Sequence, residues 1–184
     1  PLRPFARIRV QKRAVHDRAE AYATLDRCIV GHIGFVAEGR PMVIPMAYVR
    51  DGDTLYIHGA SKTRIATMTA GLPLCLTATL VDGLVVARSG FHHSVNYRSV
   101  VVHGTGRAVS EDTEFDAALD GIVDHLLPGR SAEVRAMNAQ ERKATRVVAL
   151  EIEAITMKRR VGPPVDDEED LGAGTWGGVL PVTM

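Results

Sequence analysis

Between Cys28 and Val109 the apolar positions recur at spacings of two or in short β-branched runs, the signature of strands. Cys28 to Ala37 reads as a first strand, with Gly31 and Gly34 inside it, and Glu38-Gly39 marks a turn. Met42 to Val49 follows with Pro45 inside it. That proline predicts an edge, a bulge, or a stretch where a ligand takes over the hydrogen bonding. Asp51-Gly52-Asp53 predicts a hairpin into Leu55 to His58. Asp82-Gly83 predicts a second hairpin, joining Pro73 to Val81 with Leu84 to Arg88. Tyr97 to Val109 is a long strand with apolar residues on both faces. Val147 to Met157 is a last one, with Val148, Leu150 and Ile152 facing in and Glu151 and Glu153 facing out.

Helical periods are fewer. Asp17 caps a short helix to Arg27, with Ala19, Tyr22, Ala23 and Leu25 on one stripe. Phe115, Leu119, Ile122, Val123 and Leu126 form the clearest helix, which Pro128-Gly129 ends. Ser131 to Met137 reads as another helix, residues 1 to 15 as an arm or edge strand, and the chain beyond Gly162-Pro163-Pro164 as irregular. About six hairpin-linked strands with two or three helices make this a mainly β fold, an antiparallel β-barrel with helical covers. The regular strand–helix alternation of a doubly wound sheet is absent. The expected division is a barrel domain over 1–164 and a tail over 165–184 that packs on the barrel or on a partner.

Charge changes the picture little in total and more in distribution. Lys plus Arg and Asp plus Glu both number 22, so there is no basic surplus for a nucleic acid. Basic residues crowd Arg3 to Arg13, and an acidic run covers Asp166 to Asp170. Cys28 and Cys75 sit in apolar surroundings without metal or redox spacing, as reduced core thiols do. No apolar run reaches membrane-spanning length and no signal peptide is visible, so a cytoplasmic protein is expected.

The chemistry concentrates in LYIHGASKTR, Leu55 to Arg64. A strand breaks at Gly59 and enters a helix capped by Ser61, with Ile65, Met68 and Leu72 at helical spacing until Gly71 and Pro73 stop it. Lys62 and Arg64 in its first turn oppose the helix dipole by roughly 0.3–1 kcal/mol each. An anion there would remove the mismatch, because backbone N–H groups, the Ser61 and Thr63 hydroxyls and both cations would face one phosphate. A solvated helix start with surface cations is the other reading. His58, at the strand end, either meets a ligand or is satisfied by backbone.

Arg98 lies in an apolar strand, so it either projects from the barrel end or finds an anion or carboxylate. Trp176, the sole tryptophan, sits in a Gly-rich tail, which predicts docking onto a groove, a partner or a planar ligand. His92, His93, His103 and Asp82 lack metal-ligand spacing, and His32 and His125 read as structural or surface histidines. Gly104-Thr105-Gly106 falls inside a strand and predicts a bulge rather than a dinucleotide turn.

GHIGFV, VIPMAYVRDGDTLYIHGASKTR and LCLTATLVDGLVVARSGFHHSVNYRSVVVHGTGRAV together resemble the pyridoxamine phosphate oxidase-like, FMN-binding split-barrel superfamily, nearest its nitroimidazole-resistance reductases. The resemblance runs from about Arg13 to Leu180. It implies a six-stranded split barrel working as a homodimer, with FMN at the subunit interface. Ile44, Pro45, Met46 and Ala47 would border the isoalloxazine. His58, Gly59, Ala60 and Ser61 would wrap the ribityl chain and phosphate, and Lys62, Thr63 and Arg64 would hold the phosphate. Asn96, Arg98 and Ser99 would reach the flavin, often from the other subunit, and Trp176 would cover the ring.

The implied activity is oxidoreduction of a small molecule, with NAD(P)H or a deazaflavin as partner, FAD in place of FMN as an alternative cofactor, and His58 as the candidate catalytic acid or base. A non-enzymatic flavin or haem carrier is the alternative, with His92-His93 as the haem ligands. Met46 or Ala47 stands where the oxidase has a lysine, and its C-terminal Arg/His motif is not clearly present, although Lys158, Arg159 and Arg160 lie nearby. Pyridoxamine phosphate is therefore not the implied substrate, while nitro reduction stays open.

Overall fold

The strands join into a single antiparallel sheet of nine in the computed structural model, which describes residues 3–67, 71–172 and 174–183. In chain order its elements are β1 (Ala14–Val15), α1 (Arg18–Arg27), β2 (Val30–Ala37), β3 (Arg40–Asp51), β4 (Thr54–Ala60) and α2 (Arg64–Thr67), then β5 (Pro73–Val86), β6 (Ser94–Ala108) and α3 (Asp112–Leu126). They end with α4 (Ala139–Ala144), β7 (Thr145–Glu151), β8 (Ala154–Arg160) and β9 (Gly178–Pro181). Six strands close a ring in the order β6–β5–β2–β3–β4–β7, with β8 and β1 continuing from β6 and β9 from β5. Leu25, Ile33, Leu55, Leu76, Val100 and Val102, each fully buried, fill its interior.

Two strands serve two neighbours in succession, and this splits the barrel. β3 pairs with β2 over Arg40–Ala47 and with β4 over Tyr48–Asp51. β6 pairs with β8 over Tyr97–His103 and with β7 over Gly106–Ala108. The second face of β7 is buried as well, because Val147 and Ala149 pack with Phe115 and Ala118 of α3. Glu111 caps α3 by accepting from the Thr113 and Glu114 N–H groups, and Glu114 takes the Tyr56 hydroxyl and the Arg107 fork.

Several expectations are corrected. Asp82-Gly83 is no hairpin: β5 runs straight through it, with a register shift between Val81 and Gly83, and β6 is its antiparallel partner. Gly83 serves close approach instead, since a Cβ there would stand 2.9 Å from Val179 Cγ1 and 3.1 Å from Leu180 O of β9. The final strand is two strands, because the Ile152 and Glu153 N–H groups leave the ladder for Asp53 O and His103 O. Gly104 marks no register shift either, and its bulge is replaced by a crossing point.

Ser131 to Met137 holds only a 3-10 turn, Arg130–Glu133, where the Ser131 N–H and hydroxyl both donate to Asp124. The nearby helix is α4, with the Asn138–Glu141 capping box. On α1 the Asp17 cap holds, while the buried stripe is Ala21, Thr24 and Leu25, with Ala19 and Ala23 exposed. The N-terminal arm makes two 3-10 turns before β1. The tail contains β9, hydrogen-bonded along β5. Among the described residues no helix is long and apolar enough to cross a membrane.

Candidate functional site

β3 and β4 part company beyond Tyr48 and Ile57, the last residues their ladder joins. Ile44–Ala47 turns toward β2 and His58–Ala60 toward β7, so the two segments form the walls of a wedge. Met46 closes its base, its Cε lying 3.9 Å from where a Gly59 Cβ would stand. On the wall from β3, Ile44 and Met46 are half-buried against the core, while Val43 and Pro45 face out.

Pro41 and Pro45, four residues apart, fall in the alternate set whose N–H groups an antiparallel ladder leaves unused, so the pairing with β2 continues unbroken through both. Over Ile44–Ala47 the opposite backbone edge has no strand beside it among the described residues. This is the edge position that the proline predicted.

On the other wall, the corner after β4 differs from the expected helix start. α2 begins at Arg64 and spans four residues, so Ser61 is not its N-cap and little dipole stands behind the corner. Met68 lies outside the described residues. The Ser61 N–H donates to Ala144 O (2.7 Å), and the Thr63 N–H and hydroxyl both donate to Ala60 O (2.9 and 2.8 Å). These donors fix the turn in shape and are not available to a phosphate. The cations are better placed: Lys62 and Arg64 are exposed, and Arg64 lies 4.0 Å from Glu38.

Arg146, which the motif reading missed, sits directly across the ladder from Gly59, and its guanidinium donates to the carbonyls of Lys143 and Thr145. Its charge has no carboxylate partner among the described residues. The signal was present as a cation in register with the buried Val148 and Leu150 of β7.

The remaining candidates lie elsewhere in this chain. β5 and β2 separate Asn96, Arg98 and Ser99 on β6 from Ile44–Ala47. Asn96 is spent on structure: its Nδ2 donates to Gly162 O and its Oδ1 accepts from Arg160. Arg98 finds a carboxylate, forking onto both oxygens of Asp82, which holds that carboxyl below its usual range. Ser99 Oγ accepts from the Thr79 hydroxyl. Trp176 is 57% exposed, its indole lying against the backbone at Gly178. His92 faces Asp167 at 3.1 Å, the His93 Nδ1 faces Ser89 O at 2.9 Å, and His103 packs edge-on to Phe5. His125 bridges α3 to the carbonyls of Tyr48 and Asp26, and His32 is exposed on β2. Among the described residues, no three His, Cys, Asp or Glu side chains gather as a metal site.

His58 points the other way from Ile57, out of the barrel and under α3. It lines a cavity of 290 Å³ with Leu119, Ile122, Val123, Val134 and Met137. Its Nδ1 is buried without a hydrogen-bond partner, and burial lowers its pKa from the ordinary 6.5. The unfolded chain therefore binds the proton more tightly than the folded one. The stability due to a neutral His58 is complete above about 6.5 and is lost as pH falls toward the lower folded value. Urea midpoints are expected to fall between pH 7 and pH 5, with a shallower slope in His58→Gln. Equal slopes would show that His58 carries no such linkage.

A six-strand antiparallel ring opened at a seam, with helices laid over it, is a split β-barrel. Residues 17–159 match the sequence profile described as pyridoxamine 5′-phosphate oxidase, and the chain belongs to that family. Among solved structures, a FAD and haem binding protein from Mycobacterium smegmatis is 36% identical over 93% of this chain and 84% of its own, with a TM-score of 0.86. The flavocytochrome Anf3 from Azotobacter vinelandii is 35% identical over 100% and 87%, with a TM-score of 0.90. A 5-nitroimidazole antibiotic resistance protein from Bacteroides thetaiotaomicron shares the fold at 20% identity and a TM-score of 0.67, over 79% of this chain and 85% of its own. No curated protein matches.

Proposed function

We propose that the chain binds a flavin, FMN or FAD, in the wedge between β3 and β4 and acts as an oxidoreductase on a small molecule. The carrying observation is the parting of the two strands. It sets an unpaired backbone edge at Ile44–Ala47 opposite a corner bearing Lys62, Arg64 and Arg146. A flavin has the matching parts: a flat ring edged with hydrogen-bonding groups, and a phosphate. Once bound, the flavin supplies the hydride or single-electron chemistry, and the chain supplies orientation and the anion clamp. The flavin-binding relatives at 35–36% identity support the same reading.

The working unit is a homodimer in this proposal. The row Pro45–His32–Thr77–Val101 crosses β3, β2, β5 and β6 on the outer face of the sheet. Val43 and Val36 beside it are 66% and 60% exposed. Along this face the alternate residues from Val43 to Ala47, Val30 to Val36, Cys75 to Val81 and Tyr97 to His103 include no Asp, Glu, Lys or Arg, although 24% of the chain is charged. A second copy is the occupant that would bring Ser99 of one chain near Pro45 of the other. The substitution Val43→Lys is expected to convert a dimer to monomers in sedimentation, whereas a wild-type monomer would end this part of the proposal.

The test of function is the visible spectrum of the purified protein, loaded with FMN or FAD, before and after NADH or NADPH under anaerobic conditions. Flavin bands that bleach support an oxidoreductase using that donor. Bands that persist with both nucleotides and then bleach with a reduced deazaflavin indicate that partner instead. Failure to bind either flavin would sink the reading. A second reading, a flavin protein that also carries haem, is supported by the FAD and haem binding protein at 36% identity.

A further inference from the structure

We infer that the groove where β1, β8 and the start of β6 meet binds the phosphates of a nucleotide, with the base against Phe91; as the site of an NADPH donor it rests on the flavin reading above. The groove has a volume of 820 Å³, ordinary for a small-molecule site. Lys12, Arg13, Arg159 and Arg160 line it, and no Asp or Glu does among the described residues.

Charge and register together call for an anion. β1 pairs with β8 at Ala14–Lys158, so Arg13 and Arg159 come next on the two facing chains. Cations set side by side in this way repel unless an anion lies between them. Among the described residues only Arg159 of the four has a carboxylate partner, Glu20 of α1. Arg160 is oriented by neutral acceptors, donating to Asn96 Oδ1 and to the carbonyls of Gly162 and Pro163, so its charge is uncancelled. Of the two histidines in the lining, His92 faces Asp167 and His93 faces Ser89 O.

The rest of the lining suits a base rather than a bare phosphate. Phe91 is 89% exposed, its ring edge-on to His92 at 5.1 Å. Val161 and Val165 of the tail stand 70% and 72% exposed. Asp166 ties that tail to the turn bearing Phe91, accepting from the Arg88 N–H and guanidinium at 2.8 and 2.6 Å. The aromatic ring and the apolar wall thus keep one spacing.

A cluster of cations discriminates most strongly where the ligand carries an extra dianion, as the 2′-phosphate of NADPH does. Ser99, which the proposed dimer sets near the wedge of a second copy, pairs with Lys158, one residue before Arg159. A dinucleotide anchored in the groove can then extend its nicotinamide toward the flavin of that wedge. The step served is transfer of one hydride from the nicotinamide to the flavin, which oxidises NADPH to NADP⁺ and, with a proton from solvent, leaves the flavin fully reduced.

The full chain, flavin-free and flavin-loaded, is titrated by calorimetry with 2′,5′-ADP, ADP, 5′-AMP and pyrophosphate. Saturable binding of 2′,5′-ADP is expected, tighter than that of 5′-AMP by roughly tenfold or more. Lys12→Ala with Arg13→Ala should weaken it by roughly tenfold or more. Phe91→Ala should weaken the nucleotides by roughly tenfold and leave pyrophosphate alone, a split that a misfolded variant would not give. In the flavin-loaded chain NADPH should bleach the flavin at lower concentration than NADH, and the double variant should erase the difference.

Neither ADP nor 2′,5′-ADP bound more tightly than 5′-AMP overturns the inference, as does binding that Lys12→Ala with Arg13→Ala leaves unchanged. Pyrophosphate bound as tightly as the nucleotides, with Phe91→Ala without effect, overturns the assignment to a nucleotide. ADP bound more tightly than 2′,5′-ADP keeps the site and gives it to a free nucleoside diphosphate, and equal bleaching by NADH and NADPH likewise ends the donor role. Nucleotide binding in a chain that takes no flavin supports the site while removing the flavin reading. Flavin without nucleotide does the reverse.

Discussion

Replacing Gly104 with alanine is expected to destabilise the protein by at least ~3 kcal/mol, enough to lower Tm by about 6–12 °C in a chain of this size. A Cβ at this position would sit 2.0 Å from Glu151 O and 2.9 Å from Leu150 Cδ1. The first contact is with backbone, so no rotamer change relieves it. Glu151 is itself fixed on both sides. Its residue pairs with Thr54 across β4, and two residues on, the Glu153 N–H donates to His103 O. Moving Glu151 aside would therefore loosen the place where β6 exchanges β8 for β7, which is what closes the six-strand ring. Gly83→Ala is a useful contrast. There the nearest atom is the end of a side chain, Val179 Cγ1 at 2.9 Å, and the element displaced is the terminal β9. Its cost should be smaller and confined to the tail. Equal urea midpoints for Gly104→Ala and the wild type would show that the crossing is not tight.

What sequence could and could not foretell follows from the range of each interaction. Alternation located β2, β4 and β7, the Asp17 cap located α1, and the apolar period with its Pro-Gly stop located α3, because those signals act within a few residues. Asp82-Gly83 misled for the complementary reason. A local turn signal was outweighed by twelve residue pairs with β6 and by the backbone of β9, a segment nearly a hundred residues away. The break between β7 and β8 was hidden too, since the partners of Ile152 and Glu153 lie on β4's hairpin and on β6. For α4 the signal was local and overlooked, for Asn138 and Glu141 have the spacing of a capping box.

The site divides along the same line. The motif named the residues on both sides of the wedge, and the strand pairing then set them face to face. Which way His58 points was not legible, because the cavity it lines is made by α3 and the segment after it, more than fifty residues downstream. Arg146 escaped because its neighbourhood with Gly59 exists only through the β4–β7 ladder.

The sharpest test of the phosphate corner is Lys62→Ala combined with Arg64→Ala, for which flavin binding should fall by roughly 10²- to 10⁴-fold. Two charge-assisted contacts at about 1.5–3 kcal/mol each give that range. Two of the corner's own N–H groups cannot compensate. Those of Ser61 and Thr63 are spent on Ala144 O and Ala60 O, and α2 is too short to present a strong dipole. Arg146 remains, so a single substitution should leave measurable binding. Both side chains are exposed and the Arg64–Glu38 pair is long, at 4.0 Å, so stability should change by no more than ~0.5 kcal/mol.

Riboflavin supplies the internal control. It has the ring and ribityl chain without the phosphate, so wild type and double variant should bind it alike and both more weakly than wild type binds FMN. Rising salt should weaken FMN binding in the wild type and do little in the variant. A double variant that purifies with a full complement of flavin would place the phosphate away from this corner. A double variant that loses riboflavin as well would mean that Lys62 and Arg64 shape the wedge rather than hold the anion.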